Sequence, residues 1–145
     1  MPGSAGSRSC VKYFFPVPGK SGSFRLKTVL IADDNASGRE LLRTVLEACD
    51  YRVVEAADGE QAIRQARESR PDLILLDLRM PDRDGFAVLR QLRGEVDFAA
   101  TPIVALTASA MAEDRSRVMA AGFTGFLTKP IRLPDLRGEV ARLLR

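Results

Sequence analysis

Three carboxylates, a hydroxyl and an amine sit at the ends of apolar segments in this chain. Asp33 and Asp34 follow Val29-Leu30-Ile31-Ala32, Asp77 follows Leu73-Ile74-Leu75-Leu76, and Thr107 and Lys129 close two later segments. In an open parallel sheet, the crevice beyond the carboxyl ends of the strands is where ligands bind, so these side chains can converge there. Two adjacent carboxylates plus a third repel one another at neutral pH unless a cation lies between them. Oxygen ligands in an incomplete cage suit Mg2+, which keeps several waters and accepts a phosphate oxygen. The plainer reading stays open beside it: Asp33 and Asp34 cap the helix that follows and favour its positive end.

Each of the other groups also has two readings. Asp77 is either a solvated strand end or, beside Mg2+, a nucleophile toward phosphorus. Lys129 is a surface lysine or a point charge for phosphoryl oxygens. Thr107 is a turn residue or a hydroxyl donor to the same oxygens, with Ala108 leaving space beside it. Phe126 packs on an edge strand, or carries a ring that moves in or out to report on Thr107.

The elements that must position these groups are legible in the periodicity. From Lys27 onward the pattern alternates strand and helix five times. Residues 29–32, 73–76 and 103–106 are continuous apolar runs, as strands covered on both faces require. Residues 51–55 and 123–127 are more mixed and suit edge strands, so helices must cover both faces of one parallel sheet. Leu41, Leu42, Val45 and Leu46 form a stripe after an Asn35 cap, and Asp58 with Gln61 resembles a capping box. Asp84 caps a third helix, and Leu133-Pro134 opens the last one, whose Gly138 costs about 1 kcal/mol relative to alanine. The fourth helix, ending at Gly122, has a thin apolar stripe and should be weakly packed.

Composition narrows the class of protein. The chain has 145 residues, 46% hydrophobic and 28% charged, enough for one domain with a real core. Residues 1–26 carry Arg8, Lys12, Lys20 and Arg25 without an acid, and their Gly, Ser and Pro content predicts a flexible basic extension. The apolar Val11-Lys12-Tyr13-Phe14-Phe15 stretch within it is either a docking segment or part of a disordered leader. Less those four cations, the remainder holds 18 basic against 19 acidic residues, which argues against direct nucleic-acid binding. With no histidine and two distant cysteines, Cys10 and Cys49, zinc-site and histidine-triad chemistry lacks ligands. No apolar run reaches membrane-spanning length and no signal-peptide segment opens the chain, so no membrane insertion and a cytoplasmic setting are expected.

Taken in order, Asp33-Asp34, Leu76-Asp77-Leu78-Arg79-Met80-Pro81 with Asp84-Gly85, Leu106-Thr107-Ala108 and Lys129-Pro130 resemble the receiver domain of bacterial two-component response regulators. The intervals from Asp77 to Thr107 (30) and to Lys129 (52) fit, and the resemblance covers 27–145. It implies a flavodoxin-like α/β fold, a doubly wound five-stranded parallel sheet of order 2-1-3-4-5 with five helices. It assigns Asp77 as phosphoacceptor, and Asp34, Asp77 and the Arg79 backbone carbonyl as ligands of Mg2+, with Asp33 acting directly or through water. Thr107 and Phe126 match the switch pair, and Lys129, before a cis Pro130, matches the phosphoryl contact. The implied donor is a sensor histidine kinase or histidine phosphotransfer protein. The fourth helix, fifth strand and fifth helix are the implied reporting surface toward a downstream protein target. Two positions vary within this pattern: Arg79 either shields an acyl phosphate or contacts it, and Asp50 stands where a helix-ending glycine is common.

Because the chain ends at Arg145, a stand-alone, chemotaxis-regulator-like receiver acting by phosphorylation-dependent protein binding is expected, without enzymatic turnover of an external substrate. A phosphate shuttle in a phosphorelay, a receiver fragment of a hybrid histidine kinase and a constitutive pseudo-receiver scaffold are the alternatives, and a homodimer stays open. An aspartyl phosphatase is disfavoured, since Leu78-Arg79 supplies no second acid two residues after Asp77 to protonate a leaving group.

Overall fold

The computed structural model describes residues 26–108 and 111–144; the expectation for the N-terminal extension falls outside these, Leu26 excepted. Five strands, β1 (Thr28–Ala32), β2 (Arg52–Ala56), β3 (Leu73–Asp77), β4 (Ile103–Thr107) and β5 (Gly125–Thr128), form one sheet of order β2-β1-β3-β4-β5, all parallel. Between and after them run α1 (Ala36–Ala48), α2 (Gly59–Ser69), α3 (Gly85–Arg93), α4 (Ala112–Ala121) and α5 (Leu133–Leu144), with a short 3-10 turn at Val96–Phe98. The expected flavodoxin-like architecture is the one observed. Among the described residues no helix is long and apolar enough to cross a membrane.

Every residue of β1, β3 and β4 is buried, which is why these segments read as unbroken apolar runs. Alternation divides them between two cores. Leu30, Ile74, Leu76 and Ile103 point toward α2, α3 and Val118 of α4, whereas Val29, Ile31, Leu75 and Leu106 point toward α1 and α5. Each such fully buried side chain contributes about 1.5–3 kcal/mol relative to an exposed one.

Both edge strands begin later than the periodicity suggests, for the same reason. The Tyr51 N–H donates to the Leu46 carbonyl and closes the last turn of α1; the Phe123 N–H donates to Val118 and closes α4. The helix ends thus claim residues that look like strand starts. Gly122 (φ 113°) terminates α4 in the left-handed region, and Asp50, with φ 68°, holds the same kind of position after α1 without being glycine. The α1 stripe is narrower than expected: Leu42 and Leu46 are buried, Val45 is half-buried, and Leu41 is 52% exposed.

The caps matter for the site. Asn35, not Asp33 or Asp34, caps α1 by accepting from the Gly38 N–H at 2.7 Å. Asp58 caps α2 through the Gln61 N–H at 2.8 Å, but Gln61 returns its bond to the Ala57 N–H, one residue before the cap. Asp84 caps α3 through the Ala87 N–H. α4 has one buried residue, Val118, so it is the lightly packed helix that its sequence suggests.

Candidate functional site

The sheet register brings the strand ends to one rim. Ala32 pairs with Leu76, Asp77 with Leu106, and Thr107 with Thr128, so Asp33, Asp77, Thr107 and Lys129 fall in neighbouring rows. Backbone bonds extend the ladder past its formal ends: the Asp33 N–H donates to Ala56, Leu78 to Leu106, and Lys129 to Thr107, the last at 2.7 Å. The functional candidates therefore stand on continuing sheet rather than on free loop. Gly85 allows the next segment to close over it. A Cβ there would lie 2.6 Å from the Asp77 carbonyl oxygen and 2.9 Å from the Leu78 Cα, and its N–H donates to the Leu78 carbonyl.

Carboxylate oxygens of Asp33, Asp34 and Asp77 lie within 4.8 Å of one another. Asp33 and Asp77 are buried and Asp34 is exposed at the mouth. Lys129 Nζ sits between the two buried acids, 3.0 Å from Asp33 Oδ2 and 2.9 Å from Asp77 Oδ2. The remaining oxygens of both carboxylates are also aimed: Asp33 Oδ1 accepts from the Asn35 N–H and Asp77 Oδ1 from the Arg79 N–H, each at 2.9 Å. Arg39 grips the backbone carbonyl of Asp33 at 2.6 Å while its Nε holds Glu55, a support with no sequence signal.

These surroundings set the protonation states. Burial raises the pKa of Asp77, the Arg79 N–H and Lys129 oppose it, and the Asp33 charge raises it further. Burial works against the Lys129 ammonium, but Asp77 and Asp33 together outweigh it and raise its pKa. Both directions hold together because one cation is divided between two acids: Lys129 stays charged while Asp77 is incompletely compensated. With all groups ionised, three carboxylates and one ammonium leave a formal charge of −2. That charge and an all-oxygen donor set fit a divalent hard cation.

The site opens into a cleft of about 520 Å³ whose walls include Asp34, Asp77, Arg79, Thr107, Ala108 and Lys129. The structure thus brings the strand-end candidates together, with Arg79 exposed at the rim. Phe126 lies apart from this lining, half-buried on the core, with the Arg115 guanidinium 5.5 Å above its ring. Other residues line the cleft without any sequence signal for the site, among them Phe86, Asp114 and Arg117. Phe86 and Arg117 form a stacked pair at 4.6 Å, and Asp114 comes from α4, whose register over the cleft is not visible in one dimension. The Lys129–Pro130 peptide bond is cis.

Comparison with known proteins agrees with this geometry. A family model described as response regulator receiver domain matches residues 29–141. The polar-differentiation response regulator DivK of Brucella anthropi is 36% identical over 108 residues, covering 74% of this chain and 88% of that protein. The chemotaxis response regulator CheY4 of Vibrio cholerae superimposes with a TM-score of 0.79 at 33% identity, over 83% of this chain and 100% of that one. The receiver domain of the sensor histidine kinase PA1611 of Pseudomonas aeruginosa, solved with a magnesium ion coordinated in its active site cleft, gives 0.75 at 34% identity, over 82% and 98%. Strand order, acidic rim and sequence relatives lead to one conclusion: the chain belongs to the response regulator receiver domain family.

Proposed function

We propose that Asp77 accepts a phosphoryl group from a phosphohistidine on a sensor histidine kinase or histidine phosphotransfer protein, and that the chain signals by phosphorylation-dependent protein binding in the cytoplasm. The observation that carries the reading is Asp77 itself, a buried carboxylate at the floor of an open cleft, with both oxygens oriented by Arg79 and Lys129. Asp34, Asp77 and the Arg79 backbone carbonyl would hold Mg2+, with Asp33 acting directly or through water; the magnesium in the related PA1611 receiver supports this choice. When bound, the ion screens charge between the carboxylate and the incoming phosphoryl group.

The chain's own groups divide the remaining work. An oxygen of Asp77 forms the new P–O bond as the P–N bond of the phosphohistidine breaks and the electron pair leaves with the imidazole. Lys129, already cationic, exchanges its Asp77 contact for a phosphoryl oxygen. Thr107, 8% exposed at the next strand end, donates its hydroxyl to another. That displacement frees space for Phe126 to turn inward and biases the arrangement of α4, β5 and α5, the surface offered to a downstream target. On this reading the chain is a switch, not an enzyme with an external substrate.

Acetyl phosphate with Mg2+ should add one alkali-labile phosphoryl group by intact mass, and Asp77→Asn should abolish it. Persistent labelling of that variant would remove the central claim.

A further inference from the structure

The loop after β3 does more than carry Arg79; it is bolted to a second helix. Asp82, five residues beyond Asp77, reaches the N-terminus of α2, where its Oδ1 accepts from the Gly59 N–H at 2.8 Å and its Oδ2 from the Glu60 N–H at 2.9 Å. Its Oδ1 also accepts from its neighbour, the Arg83 N–H. Two donors of α2 that Asp58 does not serve are thereby satisfied from 22 and 23 residues away. Burial disfavours the Asp82 anion, but the N–H groups of Gly59, Glu60 and Arg83 prevail and hold the carboxyl below its usual range.

The contact needs an absent side chain. A Cβ at Gly59 would collide with the Arg83 side chain and touch Val88, so glycine lets the loop lie on the helix end. The other end of the same loop is fixed by the Gly85 N–H on the Leu78 carbonyl. Between these anchors lie Arg79, Met80 and Pro81, with Met80 buried. The Arg79 carbonyl and the N–H that orients Asp77 Oδ1 therefore belong to a short segment pinned on both sides.

We propose that Asp82 is a positioning residue for the chemistry at Asp77, tying the loop that supplies the Arg79 carbonyl to the N-terminus of α2 and so raising the affinity for Mg2+. The inference rests on the phosphoacceptor reading above. Outer-shell groups that hydrogen-bond a metal ligand directly typically change affinity by about 10–100-fold when removed. Asp82 acts through the backbone, so the effect belongs at the low end.

The test compares Asp82→Ala and Asp82→Asn with Asp58→Ala, which removes the other cap of α2 but leaves the loop tether in place. Two readouts are needed: the Mg2+ concentration that half-saturates the thermal shift of the unphosphorylated protein, and the Mg2+ dependence of labelling by acetyl phosphate. Asp82→Ala should raise both concentrations roughly tenfold. Asp82→Asn, which keeps one oxygen acceptor, should recover part of the loss, and Asp58→Ala should change neither by more than about twofold despite a lower melting temperature. Equal shifts in Asp82→Ala and Asp58→Ala, or no shift in Asp82→Ala, overturn the proposal. If the wild type itself shows neither a Mg2+ shift nor labelling, the phosphoacceptor reading fails first and takes this role with it.

Discussion

Replacing Lys129 by methionine keeps the aliphatic stem and removes the cation shared by two acids. Asp33 and Asp77 would be left with side chains 3% and 7% exposed and no ammonium within reach, whereas Lys129 itself is 31% exposed. Removing one partner of a fully buried pair costs about 3–5 kcal/mol. Solvent already screens the exposed part of Lys129, which lowers the expectation to about 2 kcal/mol near pH 7.5 without divalent cation. The pH dependence follows from Asp77. The folded-state pKa of Asp77 is raised, so protonation favours the folded state and stability falls as pH rises through that value. Without Lys129 the rise is larger, so lowering the assay pH from about 7.5 to about 5 should relieve the variant more than the wild type. Mg2+ should stabilise the variant more as well, since a bound divalent cation would supply positive charge to the same carboxylate cluster. Urea unfolding at both pH values, with and without Mg2+, measures all three differences. A deficit unchanged by acid and by Mg2+ would refute the electrostatic reasoning and reduce Lys129 to a packing residue.

One substitution should act oppositely at two glycines. Gly138→Ala, where nothing lies within 4 Å of the added Cβ, should stabilise α5 by about 1 kcal/mol in urea unfolding. Gly85→Ala, facing backbone at 2.6 and 2.9 Å, should destabilise by at least about 1–3 kcal/mol and slow phosphorylation, because the obstruction is the Asp77 and Leu78 backbone itself. At Glu55, burial raises the carboxyl pKa, but bonds from Arg39 and Arg43 prevail and lower it. Its stabilisation is present at neutral pH and lost as pH falls through the folded-state value. Glu55→Gln should therefore cost up to about 1 kcal/mol near pH 7, a deficit that fades in acid unfolding curves.

The site was legible where chemistry and strand ends coincide. Asp77, Thr107 and Lys129 each follow an apolar run, and a parallel sheet gathers such positions without help from distant sequence. Asp33 was less readable. Its adjacency to Asp34 and the following helix suggested capping, a task that Asn35 performs, leaving Asp33 to face Lys129. The Asp82 tether had no local sign at all, since its partners Gly59 and Glu60 come from an earlier βα unit. Arg93 is similar: it resembles any basic residue at a helix end, yet it donates to the carbonyls of Phe98 and Thr101 at 2.7 Å and binds two further acceptors after α4. Such contacts depend on three-dimensional register, whereas periodicity reports only which face of an element is apolar.

Helix α4 contributes a single buried residue, Val118, while Met111 and Met119 are 60% and 47% exposed. A helix anchored so sparsely places little constraint on most of its own sequence. Its outward positions can change with small effect on folding, because surface substitutions typically alter stability by less than about 0.5 kcal/mol. Substitutions at those outward positions can therefore alter the surface that α4 presents while leaving the carboxylates at the sheet rim, and the fold that holds them, in place.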